Sequence, residues 1–365
     1  MSQQQWITIP SHLIGSIPRP DGLIQANVGY ENDVVSLEKL QQMQLKAIEA
    51  TIRELDVTQS EVLTDGEQTK PSFLTYPIYD LVNDCYTFDD KCFQLTFSDG
   101  HKRTLPRLIK APFHFATYAY RYLNVAKQFT SKPIKQAVIT ASALSMVYSP
   151  ILLSMGAIEN YTREQFLVDL YNECEKDIRM CLVQMDFTEA RLSLKIDPTG
   201  QLLKEFILIN NKVLDRFTRE EQKKIGVHVC PGGDCDSYHS YEIDYTLMLP
   251  DLFQLHLTNF YLQLSSEKDH IRILKCIQQH MKPEHQIYVG VVDPINPLIE
   301  SVQTVCDRVL EAAQYIPLIQ LGTTDDCGYS PFADDRSTSR EICYDKIKAR
   351  IQGTKLAEKI LNEQR

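Results

Sequence analysis

His228 and Cys230 alternate with valines in the stretch Ile225-Gly-Val-His-Val-Cys-Pro-Gly-Gly-Asp-Cys235. Alternate side chains of a strand share a face, so an imidazole and a thiol stand side by side. Pro231, Gly232 and Gly233 end the strand at once and open a loop. An imidazole and a thiolate where a strand runs out are half of a catalytic zinc site. A His and a Cys buried for packing give the same spacing, and this stretch alone does not separate the two readings. Cys327, in Asp325-Asp-Cys-Gly328, ends the last apolar run and is the third zinc-type residue. Two thiolates, one imidazole and an open position make a catalytic site rather than a closed structural one. Cys235 and His239 offer a rival loop site. Cys85, Cys92, Cys174, Cys181, Cys276, Cys306 and Cys343 fall on expected helices or a hairpin and read as packing residues.

These residues can meet only if the chain brings distant strand ends to one place. Ser11–Ile17 and Glu61–Glu67 read as the first two strands, with a helix from Ser36 to Leu55 between them. Leu37, Leu40, Leu45, Ile48 and Ile52 give that helix its stripe, and Ser36 can cap it. Cys85–Leu108 breaks the rhythm. Phe93, Leu95 and Phe97 alternate, Ser98-Asp-Gly100 turns, and Thr104–Leu108 returns, which reads as an inserted β-hairpin.

Helix and strand then alternate to the end. Helices are expected near Phe113–Phe129, from Thr162 with Gln165 as a capping-box partner, and near Leu202–Phe217, Tyr241–Leu249, Lys268–His280, Pro297–Tyr315 and Asp335–Leu361. Strands are expected at Gln136–Thr140, Leu182–Phe187, Ile225–Val229, Phe260–Leu264, Ile287–Val292 and Leu318–Thr323. Eight strand–helix units imply an α/β fold, a (β/α)₈ TIM barrel spanning residues 1–365 as one domain, with a hairpin inserted at about residues 85–108. A doubly wound sheet needs a Gly-rich phosphate turn after its first strand, and Gly15-Ser-Ile-Pro18 lacks that spacing.

Composition sets the outer bounds. Of 365 residues, 43% are apolar and 24% charged, as in a soluble globular protein. A net charge of −10 argues against nucleic-acid or anionic-membrane binding. No apolar run is long enough to span a bilayer. Met-Ser-Gln-Gln-Gln-Trp6 carries no secretory pattern, and ten scattered cysteines suit a reducing, cytoplasmic setting.

Barrel enzymes draw their chemistry from the C-terminal ends of strands. Those ends carry Ser16, Asp65 with Glu67, Thr140, Asp186, His228 with Cys230, Gln263, Asp293 and Cys327. Each has a bland reading as well, since hydroxyls satisfy loop backbone and carboxylates cap helices.

Taken together, the motifs resemble the catalytic barrel of the cobalamin-independent methionine synthases, above all their shorter single-barrel members. Ile14-Gly-Ser-Ile-Pro18 is similar to the family's Ile-Gly-Ser-Phe-Pro, whose Ser touches the amino-acid substrate. Asp65-Gly-Glu67 is similar to its strand-end Gly-Glu, another substrate contact. Val183-Gln-Met-Asp186 matches Ile-Gln-Ile-Asp, whose Asp holds the substrate amino group. His228-Val-Cys230 matches the ligand pair His-x-Cys, and Asp326-Cys-Gly328 the last ligand motif. The resemblance implies zinc on His228, Cys230 and Cys327. Asp186, Glu67 and Asp293 are then the candidate catalytic carboxylates. Ser16, Glu67, Asp186, Tyr148 and Thr140 are the candidate substrate contacts. The implied partners are a small thiol such as homocysteine and a methyl donor, with a homodimer as the assembly to test.

Four positions depart from the family pattern. Gln263 stands where the family has its Glu ligand, which makes the zinc less anionic and Gln263 a doubtful ligand. Tyr148 replaces a folate-facing Trp. Asp293-Pro-Ile-Asn-Pro297 replaces Asp-Ile-His-Ser-Pro and removes the proton-donor His. Asp186-Phe-Thr-Glu189 replaces Asp-Glu-Pro, so Glu189 either substitutes for that Glu or is solvated. Loss of the His predicts that a monoglutamate methylfolate is a poor donor and a sulfonium or corrinoid a better one. The competing readings are a zinc-dependent alkyltransferase or lyase on a non-folate substrate, and an inactive barrel that binds a metabolite.

Overall fold

The computed structural model describes residues 6–149, 157–181 and 183–364. Six parallel strands lie side by side in the order Leu321–Asp325, Gln286–Val292, Asn259–Leu262, Ile225–Val229, Val183–Asp186 and Gln136–Ile139. Five of the six are buried along nearly their whole length, as strands covered on both faces must be.

The first two expected strands complete the ring as single rungs rather than ladders. Ser11 bridges Thr323, and Leu63 bridges Ile134, both in parallel. The N–H of Ile17 donates to Gly66 O at 3.0 Å, which joins the two segments and closes the barrel. The ladders are short because Pro10 and Pro18 have no N–H and Gly66 turns the chain at φ +69°.

The caps read from the sequence form. Ser36 accepts from Lys39 N, and Thr162 with Gln165 makes both halves of a capping box. Three expected helices are clearly shorter, among them Pro297–Tyr315, which is Val302–Ala312 and is capped by Ser301. The one near Phe113–Phe129 is Ala119–Ala126, because a distant carboxylate, Asp177, takes the Ala119 N–H at 2.6 Å. Tyr241–Leu249 becomes a 3₁₀ turn, Tyr245–Leu247, and one turn of helix, Leu249–Leu252. Leu182 lies outside the described residues. Helices Asp21–Glu31 and Glu189–Ile196 had no clear sequence signal.

The hairpin is present. Phe93–Thr96 pairs with Lys102–Leu105, and Tyr86–Thr87 with Arg107–Leu108. Phe93, Leu95 and Phe97 face the same cavity as His228 and Cys327, so the insertion roofs the barrel mouth. Among the described residues no helix is long and apolar enough to cross a membrane.

Glycine decides what fills the barrel below that mouth. Gly226 shares the inward face of its strand with His228. A Cβ on Gly226 would lie 2.7 Å from the Tyr261 ring, and one on Gly322 would lie 2.4 Å from the Tyr288 ring. The space they leave takes Tyr261 and Tyr288, stacked 4.5 Å apart, with His12 stacked 4.7 Å from Tyr288. Aromatic volume therefore seals the lower interior under the inward-facing side chains at the strand ends.

Candidate metal centre

The ligand atoms of His228, Cys230 and Cys327 lie within 4.8 Å of one another, and all three residues are buried. The two sulfurs are 3.3 Å apart and both cysteines are free. Both ring nitrogens of His228 are buried with no hydrogen-bond partner among the described residues. An unmet buried polar atom costs about 1–3 kcal/mol, so this imidazole is set to meet something else. The hydrogen bond between the Cys230 and Cys327 sulfurs, together with burial, pushes the Cys327 thiol well above its usual range. Two adjacent sulfurs can both ionise there only beside a cation. The donor set, one imidazole and two thiolates, fits a borderline-soft divalent ion.

The loops that deliver these atoms are tightly held. Asp326 accepts from the N–H groups of Leu264, Ser265 and Ser266 at 2.9, 2.9 and 2.7 Å, which ties the loop after Gln263 to the loop of Cys327. Gly328 lets Ser16 in, since a Cβ there would stand 2.3 Å from Ser16 Oγ. Gln263 lies one residue past the rung that pairs Leu262 with Val229, beside Cys230. Its Nε2 donates to Ser266 Oγ at 2.7 Å and Glu267 Oε1 at 3.0 Å, and its Oε1 is buried without a partner among the described residues.

Ser16, Glu67, Asp186, Glu189, His228 and Cys327 line one cavity, under a roof of Phe93, Leu95, Phe97 and Phe332. Asp186 accepts from Gln184 Nε2 at 3.0 Å, and burial raises its carboxyl. Burial also raises Glu67, against the pull of Lys70 at 3.0 Å. Ser16 Oγ accepts from Ser330 N at 3.1 Å.

Thr140, Tyr148 and Asp293 sit away from that lining. Thr140 caps the short helix Ala141–Ser145 and donates to Glu189. The Tyr148 ring is buried against Phe166, with its hydroxyl donating to Tyr161 O at 2.9 Å. Asp293 accepts from Ile295 N at 3.0 Å and turns its own loop. Ile295 does stand near the cluster. A Cβ on Gly233 would be 3.2 Å from Ile295 Cδ1 and 3.8 Å from Cys327 Sγ.

The rival loop site does not assemble. Cys235 is exposed, at φ +47°, and groups with His101 and Asp234. His239 is buried and meets the Phe97 ring edge-on at 5.5 Å. Lys70 is buried and donates to Glu67 Oε1 at 3.0 Å and Ala137 O at 2.7 Å. Glu189 is not solvated: it is 2% exposed and faces the cavity.

The class these observations define is a (β/α)₈ barrel with an imidazole and two thiols at its C-terminal mouth. The chain is similar along its length to the cobalamin-independent methionine synthases. A methionine synthase of Saccharolobus solfataricus is 21% identical over 355 residues, covering 97% of this chain and 96% of that one. One from Pyrococcus horikoshii is 23% identical over 204 residues, about half of each chain. The structure of a B12-independent methionine synthase from Shewanella sp. W3-18-1 in complex with selenomethionine superposes with a TM-score of 0.71. It is 15% identical and covers 97% of this chain and 99% of that chain. A putative vitamin-B12 independent methionine synthase from Listeria monocytogenes gives 0.68 at 18% identity, over 96% and 98%. No family model matches the chain.

Proposed function

We propose that this protein is a zinc-dependent enzyme that moves a methyl or related alkyl group to a small amino-acid thiol of the homocysteine kind. One observation carries the reading: two orphaned His228 nitrogens stand beside two free sulfurs, in a cavity that also holds Asp186, Glu67 and Ser16. His228, Cys230 and Cys327 would hold the zinc, and Gln263, next to Cys230 by strand register, is the candidate for a fourth position. Zinc bound there keeps a coordinated thiol deprotonated at neutral pH, and the thiolate is the nucleophile. The names of the relatives support the same acceptor.

The chain's own residues position that acceptor. Asp186 offers a buried carboxylate to an ammonium group. Ser16 keeps its hydroxyl proton free for a carboxylate, because its oxygen already accepts from Ser330 N. The hairpin roof excludes water, which strengthens each of these contacts. One barrel domain suffices for all of them.

A homocysteine titration of zinc-loaded protein, read by zinc-edge spectroscopy, tests the reading. Sulfur should enter the zinc shell at saturation. Asp186→Asn should weaken thiol affinity about 10–100-fold, the size of a lost hydrogen bond to a charged group, with zinc content unchanged. A thiol that never reaches the zinc would refute the function, and unaltered affinity in Asp186→Asn would remove Asp186 from it.

A further inference from the structure

Three carboxyls line the cavity, and their surroundings differ. Glu67 has Lys70 at 3.0 Å. Asp186 feels His228, Lys70 and Lys135. Glu189 makes no ion pair among the described residues, and every group that bonds to its side chain is neutral. Its Oε1 accepts the hydroxyl of Thr140 and that of Ser142, the latter at 2.5 Å. Thr140 is held in place as a helix cap, and Ser142 Oγ takes a bond from Asn210 Nδ2 at 2.8 Å. Among the described residues Glu189 Oε2 is buried with no hydrogen-bond partner.

Both hydroxyls thus crowd one oxygen. A neutral carboxyl has a single O–H, and with Oε1 occupied as an acceptor the proton belongs on Oε2. Position 295, beside Cys327 and Gly233, is an isoleucine and carries no proton to give, so the expectation of a poor amine donor holds unless another acid faces the cavity, and Glu189 is such an acid. Glu67, Asp186, His228, His239 and Arg103 are the other charged or titratable groups that share the cavity with Glu189 and the ligand Cys327. Glu67 and Arg103 are already ion-paired, the latter to Asp234 and Asp334.

Resting on the methyl-transfer reading, we propose that Glu189 is the proton donor of the reaction, serving a donor whose alkyl group leaves a tertiary amine. The substrate sulfur forms a bond to the alkyl carbon with its own electron pair. The carbon–nitrogen bond breaks and its pair stays on nitrogen. The proton on Glu189 Oε2 passes to that nitrogen, leaving a carboxylate that solvent reprotonates after product leaves. Burial lifts this carboxyl to about 7, so it still holds a proton near neutrality, where an ordinary glutamate does not.

Two donors separate this role from a merely structural one. Zinc-loaded enzyme and homocysteine are mixed in single turnover with 5-methyltetrahydrofolate monoglutamate, whose amine needs a proton, or with S-methylmethionine, whose thioether leaves without one. Glu189→Gln should slow the amine donor by about 10²–10⁴-fold and the sulfonium by less than about threefold, with zinc content unchanged. The wild-type rate with the amine should fall as pH rises through about 7, and Glu189→Gln should lose that fall. Glu189→Asp, which withdraws the acid by one methylene, should show the same split at smaller size and stands in if Glu189→Gln fails to fold. Equal losses with both donors, no loss with either, or a wild type that uses only the sulfonium would each overturn the proposal. Zinc-loaded protein that turns over neither donor fails the methyl-transfer reading itself.

Discussion

Two clusters of metal-type residues flank the loop that follows Val229, and they are in opposite states. His228, Cys230 and Cys327 are buried, with the His228 nitrogens unmet. His101, Asp234 and Cys235 also bring their ligand atoms within 4.8 Å of one another. There, however, the partners are accounted for. Asp234 accepts from Arg103 Nε at 2.6 Å and Nη2 at 3.2 Å, from Cys235 Sγ at 3.4 Å, and faces His101 Nε2 at 3.0 Å. His101 Nδ1 faces Asp99 at 2.6 Å. A guanidinium supplies the positive charge that an ion would bring. The difference teaches that residue type and proximity do not make a metal site; unmet buried donors and acceptors do. The second cluster is a latch. It fastens the hairpin to the loop after the ligands, helped by Ser98 N donating to Tyr238 O at 2.9 Å and by the Ser98–Ser237 hydroxyl contact at 2.7 Å.

The sharpest way to break this comparison is metal content. Cys230→Ser or Cys327→Ser should remove most of the zinc, since a hydroxyl stays protonated and binds zinc weakly. Cys235→Ser should keep it. Chelator competition followed by metal analysis on the three variants decides. Zinc lost from Cys235→Ser but kept in Cys327→Ser would exchange the roles of the two clusters.

The first cluster was legible in the sequence because strand alternation and a helix-free loop leave few ways to aim His228 and Cys230. Cys327 was legible once a barrel was inferred, since a closed ring gathers all strand ends at one rim. The latch was not. Its pairs link residues more than 130 apart, Arg103 to Asp234 and His101 to Asp234, and nothing local encodes such a contact. Glu189 was visible only as two alternatives, because whether a carboxylate three residues past a strand end turns inward depends on the unforeseen helix Glu189–Ile196. The shortened ladders of the first two strands came from prolines and a left-handed Gly66, which periodicity does not weigh.

A medium effect is expected at the latch. Arg103 is about a quarter exposed, whereas the Asp234 side chain is fully buried. Among the described residues, Arg103→Ala would leave that carboxylate with His101 and the Cys235 thiol. Breaking a fully buried pair costs about 3–5 kcal/mol, and the partial exposure of Arg103 places this one nearer 2 kcal/mol. Thermal unfolding should show the loss while zinc content stays constant. Adding Asp234→Asn should recover part of it, because the unpaired charge is then gone; a strictly additive double variant would mean the two residues do not act as a pair.

The smallest effect tests how far the first cluster extends. Gln263 presents one orphaned atom, Oε1, and the other end of its amide is committed to Ser266 and Glu267. Glu267 is in turn paired with Arg191 at 2.6 Å. That arrangement explains why an amide suits this position. A carboxylate at residue 263 would face Glu267, like charge against like, at the distance where the amide now donates. It also fixes which end of the amide is free: the nitrogen is spent on two acceptors, so the oxygen is left for a cation. Gln263→Ala should then lower zinc affinity about tenfold, the lower end for a group that supports a metal site rather than anchors it. That is far less than either cysteine variant. Competition with a chelator of matched affinity measures it. An unchanged zinc affinity would confine the site to His228, Cys230 and Cys327, and would leave the Gln263 oxygen as a buried acceptor with no function in metal binding.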